Sequence, residues 1–438
     1  MTLTEHQPEH QRSAKPMGFW AIVSIGIGSM VGAGIFALLG LVGEQIGSAT
    51  IISFVLSGIV ALLAGYSYAK MGAKYPSNGG IVEFLVQGFG DGVLAGTLSL
   101  MFYVTLVVAS AMVAKTFGHY AAELFFGANK AGIWVNIFAC AIVLLLAFVN
   151  AVSVSGVGRL ETVIVLVKMT ILIVFMLVAL VRIDPSLLTA SNPSIHSGDI
   201  VATLGLTFLA YAGFGIITNA GADVPNPSRT VPAAMFSAIG IVMVLYIGIG
   251  FAVFGNLSAD AVMKYKETVL AYAALPVFGQ AGFWVLSIAA LLATASALNS
   301  NLFGELNTSY VQATLGQLPQ RFNRKVWHQA TFGFVLSLAA ILVLVNFLSL
   351  GAIASVTSIT FLTCYLAVHC AHYRRADETG GSRLLILLGI VSIVAVGVIF
   401  LQSLITTQPV AAVLFFTFLA VCFIVESLVL RTRRNLTA

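Results

Sequence analysis

The sequence predicts an all-α membrane protein. It would have twelve transmembrane helices: an inverted repeat of five plus five, with helices 1 and 6 discontinuous, and two added helices. Three observations carry this. The 438-residue chain is 59% hydrophobic and 8% charged, with a mean hydropathy of +1.02; a soluble domain carries about 25% charge. Twelve apolar stretches reach the roughly 20 residues that a spanning helix needs. Two of them, five segments apart, carry glycine-rich patches at mid-depth.

The stretches run as follows. Segment 1 (19–43) contains "SIGIGSMVGAGIF", with Gly26, Gly28, Gly32 and Gly34, and glycine is among the weakest helix formers. Segment 2 (48–71) ends beside Lys70 and Lys74. Segment 3 (84–114) is long, as is segment 8 (279–311), so each is expected to tilt or to extend beyond the bilayer. Segments 4 (131–151) and 5 (157–182) follow, and segment 5 holds Lys168. Segment 6 (199–220) carries "GFGII" at 213–217, matching "GAGIF" at 32–36. Segments 7 (231–255), 9 (329–349), 10 (351–372), 11 (384–406) and 12 (410–430) complete the set. The loops are short and leave no room for a soluble domain.

Placing the N-terminus inside puts 15 Lys and Arg on the inner side. Five lie on the outer side, Lys115, Lys130, Arg182, Lys264 and Lys266, with Lys168 left within a helix. Both termini are therefore expected in the cytoplasm. The chain divides into a cytoplasmic tail (1–18), a first repeat (19–182), a second repeat (183–373), and helices 11–12 with the C-terminal tail (374–438). The two glycine patches lie five segments apart, an odd offset, so the two repeats cross the membrane in opposite directions.

Composition also excludes. The basic residues are scattered, without the dense face a nucleic acid requires. Cys140, Cys364, Cys370 and Cys422 lie in apolar segments without metal spacing or a disulfide framework. No metal or cofactor is expected. The N-terminal "MTLTEHQPEHQRSAKPMG" lacks the apolar core of a cleavable signal.

The midpoints of segments 1 and 6 fall at Met30–Val31 and Ala210–Tyr211. Non-helical backbone at such depth is tolerated only where it lines a cavity or is buried in protein. An interrupted helix offers free N–H groups at one broken end and free C=O groups at the other, with dipole charge of matching sign. Two antiparallel interruptions side by side suit the carboxylate and the ammonium of an amino acid. Glycines equally allow close helix packing, and Gly28–Gly32 fits that use. The matched depth in segment 6 favours a binding site.

At this point the chain resembles the amino acid–polyamine–organocation (APC) permease superfamily, of leucine-transporter fold. The resemblance rests on "GSMVGAGIF", on "YPSNGGIVEFLVQGFG" (75–90), on "FLAYAGFGIITNAGADVPNPSRTVPAAM" (208–235) and on "SALNSNLFGELNTSYV" (296–311). It is most similar to the bacterial proton-coupled branch with a lysine in helix 5. It implies that Ser29, Met30, Val31, Gly32, Ala33 and Gly34 give N–H groups to the substrate carboxylate. Phe208, Ala210 and Tyr211 would offer carbonyls to its amine, and Phe208 and Phe214 would gate the site. Lys168 would occupy the place of a sodium ion, contacting the Gly28 carbonyl and hydroxyls near Ser296. A position that is acidic in some relatives is Gly215 here, which removes one partner for a cationic substrate.

Lys168 lies 11 residues past Val157, roughly 16 Å into the bilayer, and an ionisable group there is a functional hypothesis by default. Other polar residues have plainer readings. Glu161 suits the first turn of helix 5. Glu305 could pair with loop arginines. Glu426, His369 and His372 are expected at the inner interface.

The reading is a non-enzymatic secondary active transporter of the cell (inner) membrane: proton-coupled symport of neutral L-amino acids by alternating access. The alternative is an amino acid/amine exchanger of the same superfamily. A channel would show a continuous polar stripe or a carbonyl filter, and an enzyme a catalytic constellation; the sequence offers neither. The expected partners are an amino acid, protons and the lipid bilayer.

Overall fold

The computed structural model describes residues 17–77, 79–128, 131–152, 157–189, 196–314, 318, 320–328 and 330–437. The first apolar segment is two helices, α1 (Phe19–Met30) and α2 (Ala33–Ile46), and a short 3-10 turn leads into α3 (Thr50–Lys74). Next come α4 (Ile81–Phe89), α5 (Val93–Phe126), α6 (Gly132–Val152) and α7 (Val157–Val181). A short α8 (Pro185–Thr189) precedes α9 (Ser197–Tyr211), which continues as a 3-10 stretch over Ala212–Asp223. The chain then forms α10 (Pro227–Phe254), the short α11 (Ala259–Lys264) and α12 (Val269–Tyr272), and α13 (Leu275–Thr314). A hairpin of β1 (Lys325–Trp327) and β2 (Ala330–Thr331) leads to α14 (Phe332–Phe347) and α15 (Leu350–Arg374). Last are α16 (Ala376–Thr379), α17 (Arg383–Thr407) and α18 (Pro409–Thr437).

Among the described residues, ten helical runs are long and apolar enough to cross a membrane. One of them, Phe19–Lys74, has 56 residues and turns at Gly47, where φ is 53°. Two expected stretches differ in detail. Segment 3 is split, because Gly90 takes φ 78° and ends α4 before α5 begins. Segment 8 starts earlier and runs to 40 residues, with a non-helical Gly279 inside it.

Local chemistry fixes the helix starts. Thr331 and Ser349 cap α14 and α15, their hydroxyls accepting from the Phe334 and Ala352 N–H groups, which satisfies donors that lipid could not. Pro227 opens α10 at the position where its missing N–H costs nothing. In "YPSNGG", Gly80 takes φ 51° against the 3-10 stretch that follows α9, and a Cβ there would lie 1.9 Å from Asn219 Oδ1.

Small and hydroxylic residues join the helices, as expected where lipid removes the hydrophobic drive for association. Gly58 and Gly65 of α3 receive Met243 and Ile239 of α10. A buried ladder ties α3 to α9: Ser53 bonds Thr203 at 3.0 Å and Thr207 at 2.9 Å, and Ser57 bonds Thr207 at 2.6 Å. These contacts bring the interrupted α1–α2 and α9 together.

Candidate functional site

The helix of segment 1 stops at Met30. Val31 (φ −84°, ψ 53°) and Gly32 (φ −105°, ψ −117°) are not helical, and α2 begins at Ala33 without a side-chain cap. In segment 6 the α-helix gives way to the tighter 3-10 form after Tyr211. The two interruptions lie against each other. A Cβ on Gly213 would sit 2.7 Å from the Ser29 carbonyl carbon and 2.8 Å from Met30 N, and one on Gly34 would sit 3.0 Å from both Ala210 Cα and Ala210 O. Each glycine is therefore a point of close backbone approach. Gly28 and Gly32 are likewise filled by Val165 and Ala297. Packing and interruption are thus one feature, not rival readings.

Carbonyls at the broken ends receive side-chain donors. Lys168 is fully buried, and its Nζ donates to Gly28 O at 2.8 Å. Tyr246 of α10 reaches both interruptions, with its Oη 2.7 Å from Met30 O and 3.1 Å from Ala210 O. Tyr365 of α15 donates to Ala212 O. Tyr211 donates to Phe54 O at 3.0 Å, so its own ring points away towards α3. Ser29 and Ser296 are half-buried. Ser296 lies on α13, which packs on both α7 and α1.

Phe208 and Phe214 are buried and flank Tyr365, with ring centroids 5.5 and 5.1 Å away. Tyr68 completes an aromatic cluster, 5.5 Å from Phe214 and 4.9 Å from Tyr365. The sequence reading missed Tyr246, Tyr365 and Tyr68. Its only available signal was a hydroxyl inside an apolar segment.

Four polar residues sit elsewhere than expected. Glu305 is buried and accepts from Ser110 Oγ at 2.5 Å, because its face of α13 packs on α5, away from the loop arginines. His369 and His372 are fully buried instead of interfacial. Gly389 of α17 lies against His369, while His372 bonds Ser67 of α3 and Thr379 of α16, each at 3.0 Å. Glu426 is buried against Gly96 of α5. The Glu161 side chain lies outside the described residues.

Both ends of the bundle are bridged by polar contacts. On one side Lys266 pairs with Glu44 at 2.8 Å, and that hydrogen bond holds the Lys266 ammonium above its ordinary range. Thr268 donates to Glu123 at 2.7 Å. On the other, Tyr75 donates to Glu378 at 2.7 Å and Arg375 pairs with Glu378 at 2.5 Å. Partial burial and the Glu378 bond push the Tyr75 hydroxyl up to about 12.

A sequence profile described as amino acid permease matches residues 17–436. The inner membrane transport protein YbaT of Escherichia coli is 40% identical over 396 residues, covering 90% of this chain and 92% of the relative. An uncharacterized protein of Methanocaldococcus jannaschii is 38% identical, covering 87% and 88%. The serine/threonine exchanger SteT of Bacillus subtilis is 26% identical, covering 76% and 77%.

Proposed function

We propose, because the chain belongs to the amino acid permease family of the APC superfamily, that it is a secondary transporter of neutral L-amino acids driven by protons. Amino acid transport across a membrane follows from the family. Proton coupling rests on one observation, the buried Lys168 held 2.8 Å from the carbonyl of Gly28. That carbonyl lies in the last turn before the break in helix 1, so a change of charge on Lys168 acts directly on that break.

The architecture we assign has twelve spans in a five-plus-five inverted repeat, with units 19–182 and 183–373. Two spans fit into the 56-residue run, joined at Gly47, and the apolar helix Phe332–Phe347 adds another; its 16 residues reach about 24 Å. Both termini face the cytoplasm by the distribution of Lys and Arg.

In the substrate complex, N–H groups from Ser29 to Gly34 meet the carboxylate, supported by the uncapped start of α2 and its dipole. Carbonyls of Phe208, Ala210 and Tyr211 face the ammonium. Phe208 and Phe214 close over it, aided by Tyr365. The central parts of helices 1, 3, 6 and 10 carry no Asp or Glu, so a second positive charge would be buried unpaired. This favours neutral substrates. Protonated Lys168, together with Gly28 and the Ser296 region, supports the closed arrangement; deprotonation weakens that tie and favours release. A proton shifts such an equilibrium only by its unequal affinity for the two states.

Exchange is the second reading, supported by the similarity to the serine/threonine exchanger SteT. The deciding experiment is uptake into proteoliposomes across a panel of amino acids, with and without an imposed pH gradient and with and without internal substrate. Accumulation that needs the pH gradient but no internal substrate supports symport. Uptake that needs internal substrate and ignores pH supports exchange.

A further inference from the structure

Two cationic clusters lie in the loops that the topology places on the cytoplasmic side, and the structure treats them differently. The first, between α15 and α17, is internally neutralised. Arg375 pairs with Glu378, Arg383 pairs with Asp377 at 2.9 Å, and Arg374 lies over the Phe89 ring. The second is the hairpin between α13 and α14, where Arg321, Arg324 and Lys325 are all exposed. No Asp or Glu occurs in the sequence between Glu305 and Asp377, and Glu305 is buried on Ser110. Among the described residues, neither Arg321 nor Arg324 pairs with a carboxylate.

The same hairpin carries an apolar edge. Trp327 and Val326 are 47% and 57% exposed, beside Phe148, which is 57% exposed. The Trp327 and Phe148 rings pack with centroids 5.7 Å apart. Phe148 is four residues from the end of α6 at Val152, about 6 Å along the axis, so this edge lies where a spanning helix leaves the hydrocarbon. A tryptophan ring suits that depth, with one end apolar and its N–H turned to the headgroups. Guanidinium groups beyond it suit phosphate oxygens, which they bind in pairs.

We propose that the 321–331 hairpin and the adjacent end of α6 form a binding site for an anionic phospholipid headgroup of the cytoplasmic leaflet. Trp327 and Phe148 seat on the upper acyl chain while Arg321 and Arg324 hold the phosphate. The leaflet assignment rests on the orientation proposed above. The lipid is anionic because a zwitterionic headgroup returns its own cation beside Arg321 and Arg324, which have no carboxylate partner among the described residues. Since the hairpin follows α13 in the chain and α13 packs on α7, which carries Lys168, the lipid is placed to bias that helix pair.

The test reads lipid binding and not transport, so it succeeds or fails independently of the transport reading. The chain has four tryptophans. Trp20, Trp134 and Trp284 are changed to Phe, leaving Trp327 as the reporter in phosphatidylcholine vesicles containing a minor fraction of phosphatidylglycerol. Bromine on the upper acyl chain is carried by one lipid or the other. Brominated phosphatidylglycerol should quench Trp327 more steeply than brominated phosphatidylcholine at equal mole fraction. The preference should weaken with salt. It should drop about fivefold for Arg321→Gln or Arg324→Gln alone and roughly thirtyfold for both. Native mass spectrometry of the chain with its tryptophans intact should show the same preference in retained lipid. Equal quenching by the two lipids overturns the proposal, as does a preference unchanged in the double variant. Loss of the preference on adding inorganic phosphate at constant ionic strength would assign the site to free phosphate instead, and a soluble protein that displaces it would assign it to that partner.

Discussion

On the proposed reading, replacing Lys168 should separate binding from coupling, because its hydrogen bond to Gly28 O and its titration would be removed by different substitutions. Lys168→Met keeps the length and removes both the charge and the donor to Gly28 O, now at 2.8 Å. A buried carbonyl left without its donor costs about 1–3 kcal/mol. The arrangement that relies on this bond therefore loses population by about 5- to 150-fold, and apparent substrate affinity falls with it. Lys168→Arg keeps a donor and a fixed positive charge but cannot release its proton. One titrating group per cycle couples one proton to one neutral amino acid. With the membrane potential clamped, each pH unit then supports about a tenfold accumulation, because both quantities are about 1.4 kcal/mol per decade. The assay is accumulation into proteoliposomes under an imposed gradient of about two pH units, where the wild type should approach about a hundredfold. Both variants should fall to no accumulation. Lys168→Arg should retain binding, measured by substrate-dependent thermal stabilisation, and Lys168→Met should lose most of it. Accumulation by either variant would refute the assignment, as would wild-type uptake that follows sodium and ignores pH.

Arginine and putrescine should compete with alanine for uptake far less well than serine or glycine does, because their second charge finds no carboxylate; the reverse order removes the neutral-substrate reading. Gly32→Val should fold with reduced thermal stability, since even a Cβ there meets the Ala297 Cβ at 2.6 Å, and it should show no stabilisation by substrate; normal affinity in that variant would contradict the site. Tyr246→Phe leaves Met30 O and Ala210 O without their shared hydroxyl, so unfolding should become easier by about 1–3 kcal/mol and substrate affinity should fall with it; an unchanged melting curve would show that this bridge carries no load. At Glu378 the Tyr75 hydrogen bond and the Arg375 pair hold the carboxyl below its usual range. Its contribution is therefore present above the ordinary carboxylate pKa and lost as pH falls through the depressed value. Glu378→Gln should speed hydrogen exchange over 376–380 at neutral pH and leave it unchanged in strong acid; equal acceleration at both would place the effect elsewhere.

The glycine patches and Lys168 stand out in the sequence for the same reason. Each is a residue type that a lipid-spanning helix avoids unless something requires it. The break at Val31–Gly32 is legible in the glycines together with their matched depth in segment 6, whereas the partners of that break are not. Tyr246 and Tyr365 look like any tyrosine in an apolar segment, and only the tertiary arrangement aims their hydroxyls at Met30, Ala210 and Ala212. His369 and His372 were assigned to an interface by their place near a helix end. His369 is buried because Gly389 of α17 lies against it, and His372 because Ser67 of α3, Thr379 of α16 and Gly381 surround it, contacts made by residues distant in sequence or later in the chain. The division of segment 3 had a legible cause in Gly88, Gly90 and Gly92, outweighed in the reading by the apolar run that surrounds them.

The side chains around the two interruptions bear on what the site must do. Breaking a helix inside a membrane exposes carbonyls that have no water to turn to, at several kcal/mol each. Here the Gly28, Met30, Ala210 and Ala212 carbonyls are met by Lys168, Tyr246 and Tyr365. One tyrosine serves a carbonyl from each broken helix, so helices 1 and 6 cannot part on that side without stranding at least one of them. A carbonyl oxygen has two lone pairs, so an ammonium group adds to this network without having to displace it. The opposite end is built differently: α2 starts at Ala33 with no side-chain cap, and its dipole favours an anion. Carbonyls held by the protein's own hydroxyls and N–H groups left uncapped make an unequal pair. At the proposed site a carboxylate would add an interaction where α2 has no side-chain cap, while an amine would join carbonyls already bonded. We therefore propose that the carboxylate is the group on which closure depends. On the same physics, ethylamine should fail to stabilise the protein where propionate retains part of alanine's effect, and the opposite order would show that the amine, not the carboxylate, closes the site.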